Sequence, residues 1–296
     1  MITKQEKYPK LASALGMHSL FLKREDLHPY GSHKGRSIPI MIDKYINEGI
    51  VHFAISSSGN AALAAAYYIE KLNRDRENKI KLDILVGQHI STKKLHKLEE
   101  FRNDHINVTS HDRPIQTLFN ITKDLSIKAL RQSTDDNALL GYREIAEELL
   151  EIKDLEAVFI GTSSGTTAQA IAETFREKKN NNGGKNIEMH IIQTSSCHPM
   201  ADNFIDDQSI DELSIADAIV DHTALRRGDL TRLIKENGGN GWIASNEQIK
   251  IAQELVSKYA DLNISTNSAL SIAGLMQAVY TGKTWEGSVV CMICGE

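Results

Sequence analysis

The chain has 296 residues, 41 % hydrophobic and 25 % charged, with a formal net charge of -5. That size gives one large or two ordinary domains with real cores. The negative balance lacks the basic face that a nucleic-acid binder needs, and no apolar run reaches the length of a membrane span. The N-terminal stretch Met1-Ile2-Thr3-Lys4-Gln5-Glu6-Lys7 lacks the apolar segment of a signal peptide, so a cytoplasmic location is expected.

The apolar run Ser19-Leu20-Phe21-Leu22 reads as a strand. A turn containing Pro29 and Gly31 follows, and a helix is expected to begin at Lys34. A lysine at such a point can be desolvated and held against an electrophile, as a Schiff-base lysine requires. Residues 51–55 form a strand pattern that leads into a helix over 61–72. Residues 80–86 precede a basic helix over 92–102, whose run Lys93-Lys94-Leu95-His96-Lys97 reads as an exposed face. A soft boundary falls at 131–137, before a helix over 142–150 with an acidic first turn. A strand over 157–160 precedes a helix over 167–178. The polar loop Asn180-Asn181-Asn182-Gly183-Gly184 separates it from a strand over 189–193.

Strand, helix and strand at this spacing predict an α/β fold of open, twisted, mostly parallel sheets flanked by helices. Two domains are expected. The larger takes 1–36 and 137–296, the smaller takes 37–136, and a ligand sits in the cleft between them, at the carboxyl ends of strands. The three cysteines, Cys197, Cys291 and Cys294, do not make a disulfide framework. Cys291 and Cys294 stand three apart in the strand-like run Val289-Val290-Cys291-Met292-Ile293-Cys294, so they point to opposite faces, and no metal site is expected. Trp242 and Trp285 read as packing residues. The pair Arg226-Arg227 reads as solvated surface, with contact to a substrate or phosphate as the sharper alternative.

Two polar loops share one design. Ser56-Ser57-Ser58-Gly59-Asn60 and Gly161-Thr162-Ser163-Ser164-Gly165-Thr166-Thr167 each follow a strand and open a helix. Small residues allow close backbone approach, and free N–H groups at a helix start favour an anion. The plain alternative is an ordinary N-cap. Neither loop fits a P-loop or a G-x-G-x-x-G fingerprint, so a mononucleotide site is not supported. Two anion cradles and one lysine suit a ligand with two anionic ends.

Taken together, these segments resemble the fold-type II pyridoxal-phosphate enzymes of the tryptophan synthase β-like group, which includes threonine synthase, serine/threonine dehydratase and cysteine synthase. Leu22-Lys23-Arg24-Glu25-Asp26-Leu27 followed by Gly31-Ser32-His33-Lys34 resembles the family's cofactor-lysine motif. Ser57-Ser58-Gly59-Asn60 resembles its S-S-G-N loop, and Gly141-Tyr142-Arg143-Glu144-Ile145-Ala146 its G-Y-x-x-I-A segment. Residues 161–167 stand in place of its phosphate loop. Ser265-Thr266-Asn267-Ser268-Ala269-Leu270 resembles E-P-S-S-A-A-L, and Ile293-Cys294-Gly295 the closing S-G-G.

The resemblance implies pyridoxal 5'-phosphate as cofactor and roles for particular residues. Lys34 forms the internal aldimine and moves the α-proton. Asn60 bonds the phenolic oxygen. Ser56, Ser57, Ser58, Gly59 and Asn60 hold the substrate carboxylate, and Ser58 is a second proton carrier. Gly161, Thr162, Ser163, Ser164, Gly165, Thr166 and Thr167 wrap the phosphate, His33 approaches it, and Cys294 faces the pyridine nitrogen. The phosphate loop departs from the family in carrying hydroxyls where relatives carry glycine, and Ala61 follows Asn60 in place of histidine or threonine.

A homodimer acting on a small amino acid, with no appended regulatory domain, is expected. The favoured reaction is β-elimination on a serine- or threonine-type substrate by a lyase. β-Replacement and threonine synthase chemistry are alternatives, as is a pyridoxal-phosphate binder without turnover.

Overall fold

A computed structural model describes residues 2–205 and 213–296. Contacts divide the chain into two compact units, His28–Gly141 and the pair of segments Met1–Leu27 and Tyr142–Glu296. The expected α/β architecture of two mostly parallel sheets flanked by helices is present.

The larger unit begins with β1 (Gln5–Lys7), α1 (Pro9–Ala14) and β2 (Ser19–Arg24). It continues with β7 (Leu155–Gly161), α7 (Thr166–Asn182), β8 (Glu188–Thr194), α8 (Arg227–Glu236) and β9 (Asn240–Ala244). It closes with α9 (Asn246–Ala260), α10 (Thr266–Tyr280) and β10 (Ser288–Ile293). Its sheet has the order β1-β2-β10-β7-β8-β9, parallel except for β1. Every residue of β10 is buried, as a central strand covered on both faces requires. Helix α10 is also buried nearly all round. Gly274 lets it approach the sheet, because a Cβ there would lie 2.2 Å from Ile192. Trp242 and Trp285 join the core beside Phe159, Leu270 and Val289.

The smaller unit holds α2 (Lys34–Asn47), β3 (His52–Ser56), α3 (Asn60–Asn73), β4 (Lys81–Gly87) and α4 (Thr92–Glu99). After β5 (Ile106–His111), α5 (Pro114–Ile121) and β6 (Ile127–Ala129), helix α6 (Asn137–Leu150) carries the chain back to the larger unit. The sheet is wholly parallel, in the order β5-β4-β3-β6. Ile38, Met41, Phe53, Ile69, Ile84 and Val108 form its core. Ala62, Ala64, Ala65 and Ala66 are all buried, so α3 packs closely with small side chains.

Several elements differ from expectation. The unit boundaries fall at 27/28 and 141/142, not at 36/37 and 136/137, so Lys34 belongs to the smaller unit. Residues 28–33 pack there on its own aromatics, with the Tyr30 ring stacked on Tyr67 at 5.7 Å. Helix α6 starts at Asn137, and no acidic residue occupies its first turn. Asp135 starts the helix early by accepting from Asn137 N–H at 3.0 Å, an Asx turn held in turn by the Tyr45 hydroxyl at 2.5 Å. Helix α7 runs on to Asn182 and ends at Gly183, whose φ of 63° is the left-handed stop.

Candidate active site

The smaller unit places Lys34 and the serine loop by topology. Helix α2 ends just before the amino end of β3 and runs back along the sheet, so Lys34 at its start lies toward the carboxyl ends of the strands. Strand β3 ends at Ser56, and Ser57, Ser58 and Gly59 turn the chain into α3 at Asn60. Both starts therefore gather on the edge where open α/β sheets bind ligands. Ser32, fully buried, accepts from Lys34 N–H through its hydroxyl at 3.3 Å and from Gly35 N–H through its carbonyl at 3.1 Å. His33 is the N-cap of α2 without a side-chain capping bond. The Ser57 hydroxyl accepts from Gly59 N–H at 3.3 Å, and Gly59 O accepts from Leu63 N–H at 3.1 Å. All five residues 56–60 are half-buried.

The larger unit gathers the second set. β10 and β7 are parallel neighbours, with Cys291 opposite Phe159, so Cys294 and the loop 161–167 emerge at one edge. Helix α10 begins at that edge. The Ser265 and Ser268 hydroxyls donate to Gly295 O at 2.6 and 3.0 Å, and Ser268 Oγ accepts from Gly295 N–H at 3.2 Å. Cys294, itself buried, is thereby held beside the positive end of a 15-residue helix. Cys291 lies deep in the core near Ser271 O, and burial pushes its thiol pKa up. Among the described residues, no group of three potential metal ligands occurs.

The loop 161–167 divides its labour. Thr162 continues the sheet, donating N–H to Ile192 O at 2.8 Å and its hydroxyl to Ile160 O at 3.0 Å. Ser163 Oγ accepts from Val220 and Asp221 N–H at 3.2 and 3.3 Å. Ser164 and Thr166 share a hydroxyl contact of 3.0 Å. Gly165, with φ of 80°, caps α7, and Thr166 and Thr167 form its buried first residues. A Cβ at Gly165 would lie 2.9 Å from Met200, and one at Gly161 would lie 3.0 Å from Asn267 O. The bare backbone at these points lets the loop pack closely on those neighbours at the start of a 17-residue helix, an end that favours negative charge.

Sequence reasoning missed the segment 213–224 altogether. Asn246 accepts from Ile215 N–H at 2.8 Å, and Asn267 accepts from Ala218 N–H at 3.0 Å. Thr266 donates to Ile215 O at 2.9 Å. With Ser163, these side chains strap the segment across the starts of α9, α10 and α7. Their partners lie about 30 to 60 positions away along the chain, a separation that no local sequence signal spans. The Arg226-Arg227 pair splits. Arg226 is buried and donates to Gln169 at 3.2 Å, while Arg227 is exposed.

The smaller unit starts helices at a lysine and an amide, and the larger unit starts a helix at a hydroxyl- and glycine-bearing loop and holds a buried thiol at a strand end; each is a group of the kind that a phosphorylated aldehyde cofactor uses. A family model described as pyridoxal-phosphate dependent enzyme matches residues 2–295. The threonine synthase of Methanosarcina acetivorans is 24 % identical over 301 residues, covering 98 % of this chain and 73 % of that protein. A pyridoxal 5'-phosphate-dependent aspartate racemase superposes with a TM-score of 0.80 at 19 % identity, covering 100 % of this chain and 90 % of its own. The processed form of threonine deaminase isoform 2 from Solanum lycopersicum superposes with a TM-score of 0.79 at 18 % identity, covering 99 % and 83 %. These structures share the fold, under several different activities. From residue 2 to residue 295, this chain belongs to the pyridoxal-phosphate dependent enzyme family and uses pyridoxal 5'-phosphate as its cofactor.

Proposed function

We propose that the protein is a lyase that eliminates the β-substituent of a small hydroxy amino acid, releasing a 2-oxo acid and ammonia. The bound cofactor supplies an electron-accepting ring that stabilises negative charge at the substrate's α-carbon. Lys34 Nζ takes the α-proton. Ser57 and Ser58 hold the carboxylate by hydroxyl and N–H, and as the Ser58 hydroxyl gives its proton to the departing hydroxyl, which leaves as water, the proton taken by Lys34 restores that of Ser58. The released enamine hydrolyses in water to the 2-oxo acid and ammonia. Asn60 and His33 steady the cofactor, and the loop 161–167 takes its phosphate at the start of α7.

One observation carries this reading. Cys294 is a buried cysteine, set beside the amino end of α10 by the Ser265 and Ser268 bonds to Gly295. A thiol is a weak partner for the pyridine nitrogen, and the positive helix end disfavours a proton there. A ring left unprotonated is a poorer electron sink. It favours prompt loss of a β-leaving group over chemistry that needs a long-lived carbanion.

Threonine synthase chemistry is the second reading, favoured by a threonine synthase relative that spans 98 % of this chain. The active form in this reading is a cytoplasmic homodimer. Holoenzyme incubated with serine or threonine should release pyruvate or 2-oxobutyrate. Threonine formed from a γ-substituted homoserine, with no 2-oxo acid from serine, would establish the second reading instead. No turnover of any β- or γ-substituted amino acid would leave a binder of the cofactor.

A further inference from the structure

The turn before Lys34 is built around His28. Its carbonyl accepts from Gly31 N–H at 2.7 Å, and Gly31 takes the left-handed φ of 76° that closes the turn. Its ring nitrogen Nδ1 accepts from Tyr30 N–H at 3.1 Å. The ring is buried, tilted against Tyr30 at 5.3 Å, and fills the space where a side chain at Gly35 would begin. A Cβ at position 35 would stand 2.2 Å from His28 Cε1 and 2.3 Å from Nδ1. One imidazole therefore touches the chain on both sides of Lys34.

We infer that His28 is the positioning residue for Lys34, wedged between Tyr30 and Gly35 so that the lysine's backbone has one place to be. The inference rests on the reading that Lys34 carries the cofactor. A lysine that must both hold a cofactor and move a proton gains from a fixed backbone, since about 1 Å of misplacement can cost on the order of 100-fold in rate. Nδ1 accepts from an N–H, so it carries no proton itself. Its place two bonds from Cβ is also that of an asparagine Oδ1, which makes the same bond to the second N–H onward in an Asx turn. Glycine at 35 is what the ring requires, and any side chain there pushes it off its acceptor site.

The test uses four full-length variants, His28→Ala, His28→Asn, His28→Gln and Gly35→Ala, each checked for fold by circular dichroism. Added to the apoprotein, pyridoxal phosphate is followed by absorbance and by the rate at which borohydride fixes it to the Lys34 peptide. His28→Ala and Gly35→Ala should slow that capture and kcat by about 10- to 100-fold with KM little changed. His28→Asn should restore both to within a few-fold, and His28→Gln, whose acceptor sits one bond too far, should not. Capture at the wild-type rate in folded His28→Ala overturns the inference. So does a folded His28→Asn that captures slowly, and this variant decides the matter if His28→Ala does not fold. Failure of the wild-type protein to be tagged at Lys34 would instead refute the cofactor-lysine reading itself.

Discussion

The imidazole of His190 lies on the ring of Phe159, with centroids 4.2 Å apart and planes 10° from parallel. The two residues are register partners on β8 and β7. Trp242 Nε1 donates to His190 Nδ1 at 3.2 Å, so the imidazole proton sits on Nε2 and is donated to Glu188 at 2.9 Å. Lys283 and Trp285 donate to the same carboxylate oxygen at 3.0 and 3.1 Å.

This cluster predicts acid sensitivity. Burial above all, with Lys283 nearby, holds the His190 pKa below its ordinary value, although Glu188 opposes the shift. Burial of Glu188 would raise its own pKa, but the bonds from His190 and Lys283 outweigh it, and the net direction is down. The unfolded chain therefore binds protons first at both sites as pH falls, so stability drops below the ordinary histidine value and again below the ordinary glutamate value. Urea midpoints followed by tryptophan fluorescence should fall from pH 7.5 to pH 5. His190→Phe should be less stable at neutral pH and lose the upper part of that slope. An unchanged slope would assign the effect elsewhere.

Lys34→Ala should abolish borohydride fixation of the cofactor and lower turnover by at least about 100- to 10,000-fold, the range of a lost general base. Lys34→Arg should not rescue it, because arginine stays protonated. Peptide mapping of the reduced holoenzyme supplies the check. A tag on another lysine would relocate the site.

Ser163→Ala removes the acceptor of two N–H groups, at Val220 and Asp221. The expected cost is about 1–2 kcal/mol of local stability. Hydrogen exchange at those two amides should quicken, while Ser163→Thr keeps them slow. If exchange is unchanged in the alanine variant, Ser163 does not tether the segment.

Gly165→Ala places a Cβ on a residue with φ of 80° and 2.9 Å from Met200. The backbone strain alone is roughly 1–2 kcal/mol. Cofactor affinity measured by equilibrium dialysis should weaken by about tenfold or more. Unaltered affinity would show that the start of α7 does not hold the phosphate.

Part of this molecule was readable before any coordinates. The run Val289-Val290-Cys291-Met292-Ile293 is apolar on both faces, and it became the buried central strand β10. Strand-to-helix turns at 56–60 and 161–167 were marked by small hydroxyl residues, and helices begin there. Helix ends were less readable, because a competing local bond decides them. Asp135 starts α6 early, and Gly183 lets α7 run on through asparagines that read as a loop.

What the amino-acid order determined by itself was the alternation of strands and helices, the polar turns between them, and the set of motifs that name the family. Periodicity, turn chemistry and helix capping all act over a few residues, so the chain carries them locally. What only the tertiary structure decided was which distant groups meet. Ser163 reaches Val220 and Asp221, His190 lies between Phe159 and the tryptophans, and Ser265 and Ser268 hold Gly295. Those partners depend on strand order and register, which arise only when the sheets assemble and water leaves the core.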